Sequence, residues 1–396
     1  MSEPMSEPTG GPMSGPMSAD LTAPLTAAIA EAEKLIATAG VGRTEQEVLE
    51  GYAYLAGLIR SGLQMAFDRD PDRPVLINAV HQYARAGLDN PDALYFHAYL
   101  DDARTYVLRG VRGSTADLSF QILSGGYRSD GVPESLAAFD DRELELGDDG
   151  SFELRLDPPP AGARTLIVRE VYNDWQAEQR GRLWLEVPEV LGRPARPPDA
   201  AVTARRYEVA ARLLTGSVRT WFAFPQFFQN REPANTLTPP RPTPGGLASQ
   251  RSSIGHYQLE PDQALVVTVP ECAQCAYQGI QIGSDWYIST DYESHQTSLT
   301  KAQAQTDPDG RIRFVISERN PGLANWLETT GHRTGPIMLR WQRLERDLGP
   351  DDGPQVRLLP LEDVRGALPY YRPISPADFA ARISARQRAV ARRMLS

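Results

Sequence analysis

Two cysteines in 396 residues, Cys272 and Cys275, are too few for a disulfide scaffold. No apolar run reaches the roughly 20 residues that a membrane helix needs. The first twenty residues, MSEPMSEPTGGPMSGPMSAD, lack the basic start and apolar stretch of a secretory signal, so the expected location is the cytoplasm. The chain has no Walker loop, no glycine-rich dinucleotide fingerprint and no G-x-S-x-G elbow, which argues against ATP, NAD and α/β-hydrolase chemistry. A net charge of −10, with no basic stripe interleaved with aromatics, argues against nucleic-acid binding. Zinc needs four ligands, but Cys272-x-x-Cys275 has no second such pair and the five histidines (81, 97, 256, 295, 332) are scattered. No metal or cofactor is expected.

What is present points to a strand-rich globular chain. Hydrophobic residues make up 41%, enough for real cores, and 33 Pro, 32 Gly, 15 Tyr and 6 Trp favour many short strands and turns. Residues 1–20 read as a disordered tail. Residues 21–90 read as a helical layer. Thr44 and Glu47 make a capping box there, Val48, Leu49, Tyr52, Leu55, Leu58 and Ile59 follow at helical spacing, and a shorter helix is expected over 75–86. Residues 91–200 form a first β unit, with at least five strands. Residues 201–255 hold a linker helix and a Pro-rich loop, and 256–350 form a second β unit. Residues 351–396 are a C-terminal extension, whose helix opens on Ser375, Pro376 and Asp378. Its basic run, 382–393, reads as a solvated face, with lipid or partner contact as the alternative.

The two β units echo each other. Gly147-Asp-Asp-Gly-Ser-Phe-Glu-Leu-Arg-Leu156 parallels Asp307-Pro-Asp-Gly-Arg-Ile-Arg-Phe-Val-Ile316, an acidic glycine turn launching an alternating strand in each. The expected fold class is mainly β with a helical N-terminal layer (α+β), built as two related β-sandwich-like units. Chance recurrence of common turn chemistry is the alternative.

The second unit carries long, ordered motifs: Thr306-Asp-Pro-Asp-Gly-Arg-Ile-Arg-Phe-Val-Ile-Ser-Glu-Arg-Asn-Pro-Gly-Leu-Ala-Asn-Trp-Leu327, Gly331-His-Arg-Thr-Gly335 and Leu339-Arg-Trp341. Upstream stand Tyr95-Phe-His97, Arg104-Thr-Tyr106, Arg109-Gly-Val-Arg-Gly113 and Val168-Arg-Glu-Val-Tyr-Asn-Asp-Trp175. Over roughly 90–345 the chain resembles domain-of-unknown-function family twelve-fourteen. The resemblance implies a bacterial protein with a β-sandwich-like fold and implies no settled activity. Cys275-Ala-Tyr-Gln-Gly279 departs from the aromatic pair and amide that similar sequences carry there, so an aromatic wall at that place would be altered.

Several constellations have two readings. Asn325 and Trp326, followed by the glycine-bounded loop with His332 and Arg333, read as a ligand-facing loop or as a Trp plug with Asn325 capping backbone. Asp291, Glu293 and His295 alternate, which on a strand would put them on one face for acid–base or metal chemistry; the alternative is a solvated edge or loop. The cysteine pair follows a strand rather than opening a helix, and reads better as two small apolar side chains than as a redox pair. Arg104, Arg109, Arg112 and Arg169 suit carboxylate or phosphate grip, or surface ion pairing. His97 reads as packed.

The expected function is a small-molecule-binding or accessory protein for a hydrophobic or aromatic ligand. Its site would be lined by Trp221, Phe224 and Phe227 on one side and by Asn325, Trp326, His332 and Arg333 on the other. The alternative is a cofactor-independent lyase, isomerase or hydrolase using His295 or His332 with Asp291 or Glu318. A closed pocket holding a histidine–carboxylate pair would favour the enzyme, and a dry aromatic pocket would favour binding. Homo-oligomerisation is left open.

Overall fold

The computed structural model describes residues 20–38, 44–126, 133–195, 197, 199–229, 232–243, 247 and 250–395, and no side chains at 222–229, 394 and 395. Apart from Asp20, the tail expected to be disordered lies outside the described residues.

Three helices, α1 (Ala23–Thr38), α2 (Glu45–Phe67) and α3 (Ala200–Gln229), pack together. α2 begins at the expected capping box: the Glu47 amide donates to Thr44 Oγ1 at 3.2 Å, and the Thr44 amide donates to the Glu47 carboxylate at 3.0 Å. Ala32, Leu55, Leu58, Ala210 and Leu214 make the shared core, and Trp286 and Ile288 close it from the second β unit. Gly51 is needed there, because a Cβ would sit 2.5 Å from the Trp286 ring.

No helix covers 75–86. Residues 77–80 are instead strand β1 (Ile77–Val80), paired antiparallel with β2 (Ala93–Tyr99). Ile77 and Ala79 are buried at alternate positions, a period of two too short to separate from helical spacing by sequence.

The chain is mainly β, in several sheets with a few helices. β3 (Tyr106–Val111), β4 (Asp117–Leu123), β5 (Ser135–Asp140), β6 (Ser151–Leu156), β7 (Thr165–Val171) and β8 (Arg182–Glu186) complete the first set. They form a five-stranded sheet ordered β1-β2-β7-β4-β5 and a three-stranded sheet ordered β6-β3-β8. Leu94, Phe96, Leu118, Phe120 and Val168 from the larger sheet share one core with Leu108, Phe152 and Leu185 from the smaller.

The second set is β9 (Thr236–Leu237), β10 (Arg241–Pro242), β11 (Arg251–Gln258), β12 (Gln263–Pro270), β13 (Cys275–Ser284), β14 (Ile288–Ser289), β15 (Ser298–Thr300), β16 (Arg311–Ser317), β17 (Trp326–Glu328), β18 (Thr334–Leu344) and β19 (Gln355–Pro360). A sheet running β10-β11-β18-β13-β14, with β15 on β13 and β9 on β11, faces a four-stranded sheet ordered β17-β16-β12-β19. Tyr257, Ile280, Ile337 and Trp341 meet Leu265, Val267, Phe314 and Ile316 in its core.

Strand order repeats between the two sets. β2-β7-β4 corresponds to β11-β18-β13, and β6-β3-β8 to β16-β12-β19, in the same chain order. The two acidic turns match bond for bond. Asp149 accepts from the Ser151 amide and Asp309 from the Arg311 amide, while Gly150 (φ 77°) and Gly310 (φ 74°) take the left-handed conformation.

The C-terminal helices are α4 (Val364–Ala367) and α5 (Pro376–Leu395). α5 is capped as expected, the Asp378 amide donating to Ser375 Oγ at 3.1 Å. Its basic run is not simply solvated. Arg388 and Arg392 are exposed, but Arg386 and Arg393 are buried between the two β sets. Their guanidinium groups lie 4.4 and 4.3 Å from the Trp175 ring centre. Arg386 donates to the carbonyls of Tyr292 and Ser298, and Arg393 to that of Pro91. A guanidinium stacked on an indole, with its fork on carbonyls, tolerates burial that an ammonium would not. Replacing Arg386 by Met keeps bulk but strips the donors from those carbonyls. Chemical denaturation of this variant is expected to show a loss of about 1–3 kcal/mol.

Candidate functional site

The turn between β17 and β18 places His332 beneath α2. His332 is 4% exposed. Its Nε2 lies 2.7 Å from the Glu50 carboxylate and its Nδ1 2.9 Å from the Thr329 carbonyl oxygen. The Thr329 carbonyl can only accept, so it favours a proton on Nδ1, and an ionised Glu50 opposite Nε2 favours the doubly protonated ring; the Thr330 hydroxyl lies 3.2 Å from Nδ1 as well. Burial opposes that charge, but the hydrogen bond and attraction of Glu50, with the Thr329 carbonyl, outweigh it and raise the His332 pKa. Burial likewise pushes the Glu50 carboxyl up, and the bond and charge of His332, with Gln46, turn the balance downward. Gln46 adds a second tie, its amide donating to the Thr330 carbonyl at 2.7 Å and to Glu50 at 2.9 Å. Gly331 (φ 85°) lets the loop pass under Gln46, where a Cβ would lie 2.7 Å from the Gln46 Oε1.

Above this clamp α2 leaves an open, mainly apolar hollow of about 520 Å³, lined by Glu45, Gln46, Leu49, Glu50 and Ala53. Leu49 is 61% exposed, and Val48 and Tyr52 are exposed on the same helix. A second, narrow cleft at Asp307, Arg313, Asn325, Tyr370 and Arg372 has about 10 Å³ of space, room for one water at most.

The other expected site residues have separate surroundings. Trp326 is 5% exposed; its indole N–H donates to the Ser317 carbonyl and hydroxyl, and its ring packs on Phe379. Asn325 binds the Gln305 backbone on both sides, at 2.8 and 2.7 Å. Trp221 stacks on Tyr287, in a cluster with Leu88, Ile254 and Met338. The side chains of Phe224 and Phe227 lie outside the described residues. Arg333 pairs with Glu260 at the surface, 2.9 Å apart.

Residues 291–295 form a turn, not the strand that would align Asp291, Glu293 and His295 on one face. Asp291 spends its carboxylate on the turn, accepting from the amides of Glu293 and Ser294. His295 Nδ1 is 2.9 Å from the Glu328 carboxylate, in a half-exposed pair. Glu318 is exposed. His97 is half-buried, and its surroundings and Arg169 hold it down at about 4, so it is neutral near pH 7. Arg104, Arg109 and Arg112 pair with Asp72, Glu153 and Asp141. Glu50 was missed by sequence reasoning, because its partner is 282 residues away. Among the described residues no cluster of three metal-ligating side chains occurs, and no helix is long and apolar enough to cross a membrane.

No protein-family model and no curated protein matches the chain. Solved structures do. An uncharacterised protein from Burkholderia cenocepacia aligns at TM-score 0.79 and 27% identity, covering 87% of this chain and 98% of that one. A protein from Vibrio parahaemolyticus aligns at TM-score 0.41 and 13% identity over 78% of this chain and 98% of that one, too remote to bear on fold or function. The Burkholderia protein shares the fold across nearly its whole length and carries no stated activity.

Two outcomes follow. Removing the Trp326 indole by Trp326→Ala is expected to cost about 3–5 kcal/mol in chemical denaturation; a stable variant would return Trp326 to the candidate ligand contacts. The His332–Glu50 pair should also shape stability against pH. A raised histidine contributes fully below its ordinary 6.5, and that contribution fades as pH rises through the folded value. A lowered glutamate contributes above 4.5, and that contribution is lost as pH falls. The stability difference between the native chain and His332→Gln, measured by denaturation from pH 4 to 9, is therefore expected to peak between about 4.5 and 6.5.

Proposed function

We propose that this chain is a binding or accessory protein for a hydrophobic small molecule, held in the α2 hollow beside the His332–Glu50 clamp. The observation that carries the reading is Leu49, 61% exposed and lining a mainly apolar hollow on a helix whose other face is core. The hollow is open to solvent, and the Gln46 and Glu50 side chains that line it can orient a bound molecule. This reading keeps the 325–335 loop through His332 and puts α2 where the 221–228 aromatic wall was expected. A second reading, a cofactor-independent lyase, isomerase or hydrolase, is favoured by the half-exposed His295–Glu328 pair. His332 suits that role poorly, since it is buried and both its nitrogens are already engaged, by Glu50 and by the Thr329 carbonyl.

Three further readings belong with this one. The paired sheets are read as two related sandwich-like units, supported by the repeated strand order and by the matching turns at Gly150 and Gly310. Membership of family twelve-fourteen rests on the motifs, and the Burkholderia likeness supports its bacterial side. The cytoplasm remains the proposed location.

Leu49→Glu tests the site. A thermal-shift screen with apolar small molecules should yield binders for the native chain. The variant is expected to lose about tenfold or more in affinity for them, the worth of a buried leucine. Its own stability should change by no more than about 0.5 kcal/mol. Unchanged binding would place the site elsewhere, and turnover of a screened compound that depends on His295 would favour the enzyme.

A further inference from the structure

The chain holds two lysines, Lys34 and Lys301, against 39 arginines. One of the two sits on the cysteine pair. Lys301 Nζ donates to the Cys272 carbonyl at 3.0 Å and to the Cys275 carbonyl, and lies 4.0 Å from the Cys275 sulfur. The cysteines bound a two-residue turn, Ala273-Gln274, that carries the chain from β12 in one sheet to β13 in the other. Turn residues at this spacing keep their Cα atoms within about 7 Å, and a disulfide needs about 4.4–6.8 Å. The turn is pinned from three sides. Gln278 accepts from the Cys272 amide at 2.7 Å and donates to the Pro270 carbonyl, the Glu345 amide donates to the Gln274 carbonyl, and Arg346 grips the Gln274 side chain. Cys275 is buried, Cys272 is partly exposed, and Ala273 and Gln274 are open to solvent.

We propose that Cys272 and Cys275 are a reversible dithiol–disulfide pair, with Cys272 the entering thiol, reacting with small-molecule disulfides at the rim of the second β region. The asymmetry has a physical basis. A hydrogen bond from the Cys275 thiol and the Lys301 charge work against burial and bring the Cys272 thiol down to about 7, while the same bond and burial push Cys275 up. In other CxxC sites a helix N-terminus lowers the first thiol; here the neighbouring Cys275 thiol does most of this and the Lys301 ammonium adds to it. The exchange balances without a further reactant. The Cys272 thiolate attacks one sulfur of RSSR, forming a mixed disulfide and releasing RS⁻, which takes a proton from solvent. Cys275 then gives up its proton to solvent and attacks the Cys272 sulfur, releasing the second RS⁻, which is protonated in turn. The protein loses two electrons and two hydrogens, and RSSR becomes two RSH. The proposal does not depend on the ligand reading of α2.

Oxidised glutathione is the probe. The full chain is incubated with it near pH 7.5 and followed by intact-protein mass spectrometry and by glutathione release. Two glutathiones released per chain, with loss of two hydrogens and no lasting adduct, is the expected result. Cys275→Ser should trap the mixed disulfide at Cys272. Lys301→Gln should slow alkylation of Cys272 several-fold at neutral pH and shift the pH profile of that reaction upward, while Lys301→Arg keeps the charge and most of the rate. A persistent single adduct on the native chain, or no reaction, overturns the pair, and the native-chain result holds even if a variant fails to fold. An unchanged pH profile in folded Lys301→Gln overturns the role of the lysine.

Discussion

Asp92 sits where the two β regions meet, 1% exposed. One carboxylate oxygen accepts from the Trp175 indole at 2.8 Å, and the other accepts from the Tyr277 hydroxyl at 2.7 Å. Trp175 follows β7 in the first region and Tyr277 lies on β13 in the second, so one side chain ties the two. Burial pushes this carboxyl upward, and the charges of Arg386 and Arg393 oppose that rise. Both arginines come from α5. The last helix of the chain therefore sets two positive charges near this buried aspartate. Charges out of water are costly, and they persist only where hydrogen bonds satisfy them as fully as here.

The segment before Asp92 follows from that constraint. Residues 87–92 run across the second region's larger sheet. The Leu88 amide donates to Tyr287, Asp89 takes the Ser289 hydroxyl at 2.7 Å, and the Asn90 amide group donates to Tyr277. Gly87 and Leu88 both adopt positive φ, which turns the chain sharply enough to lie there. Arg343, also at positive φ, reaches back from β18 to Asp117 and Asp141 of the first region. Buried polar and charged contacts thus join the two regions at several points, beside apolar ones such as Leu88 packed with Ile254, Tyr287 and Met338.

What could be read in the sequence was local. The Thr44–Glu47 box, the Ser375 cap and the Asp-Gly turns are each settled within five residues by a side chain bonding nearby backbone, and each appears where it was expected. The alternation after the acidic turns, in 151–156 and 311–316, likewise marked real strands. Short segments misled. Residues 75–86 hold too few alternations to betray a strand, and 291–295 alternate in type while their backbone turns under Asp291. The site was half legible. His332 stood out in a glycine-bounded loop, but Glu50 carries no signal of its partner. It reads as one more acid on an amphipathic helix.

The arginines show most clearly why the remainder was hidden. Arg340 donates to the Leu88 carbonyl, Arg343 to that of Ala116, Arg382 to that of Ala324, Arg386 to those of Tyr292 and Ser298, and Arg393 to that of Pro91. Each acceptor lies at a strand end or in a loop. A buried carbonyl without a donor is costly, and a guanidinium offers five N–H groups on a long stem, so one side chain can serve several such oxygens across a seam. Every residue has a carbonyl, so the sequence does not mark which ones need this help. An arginine-rich helix therefore looks solvated until the loops it serves are in place. The rarer lysine serves the same end at the cysteine turn, where Lys301 donates to the carbonyls of Cys272 and Cys275 and also sets a compact charge 4.0 Å from the Cys275 sulfur.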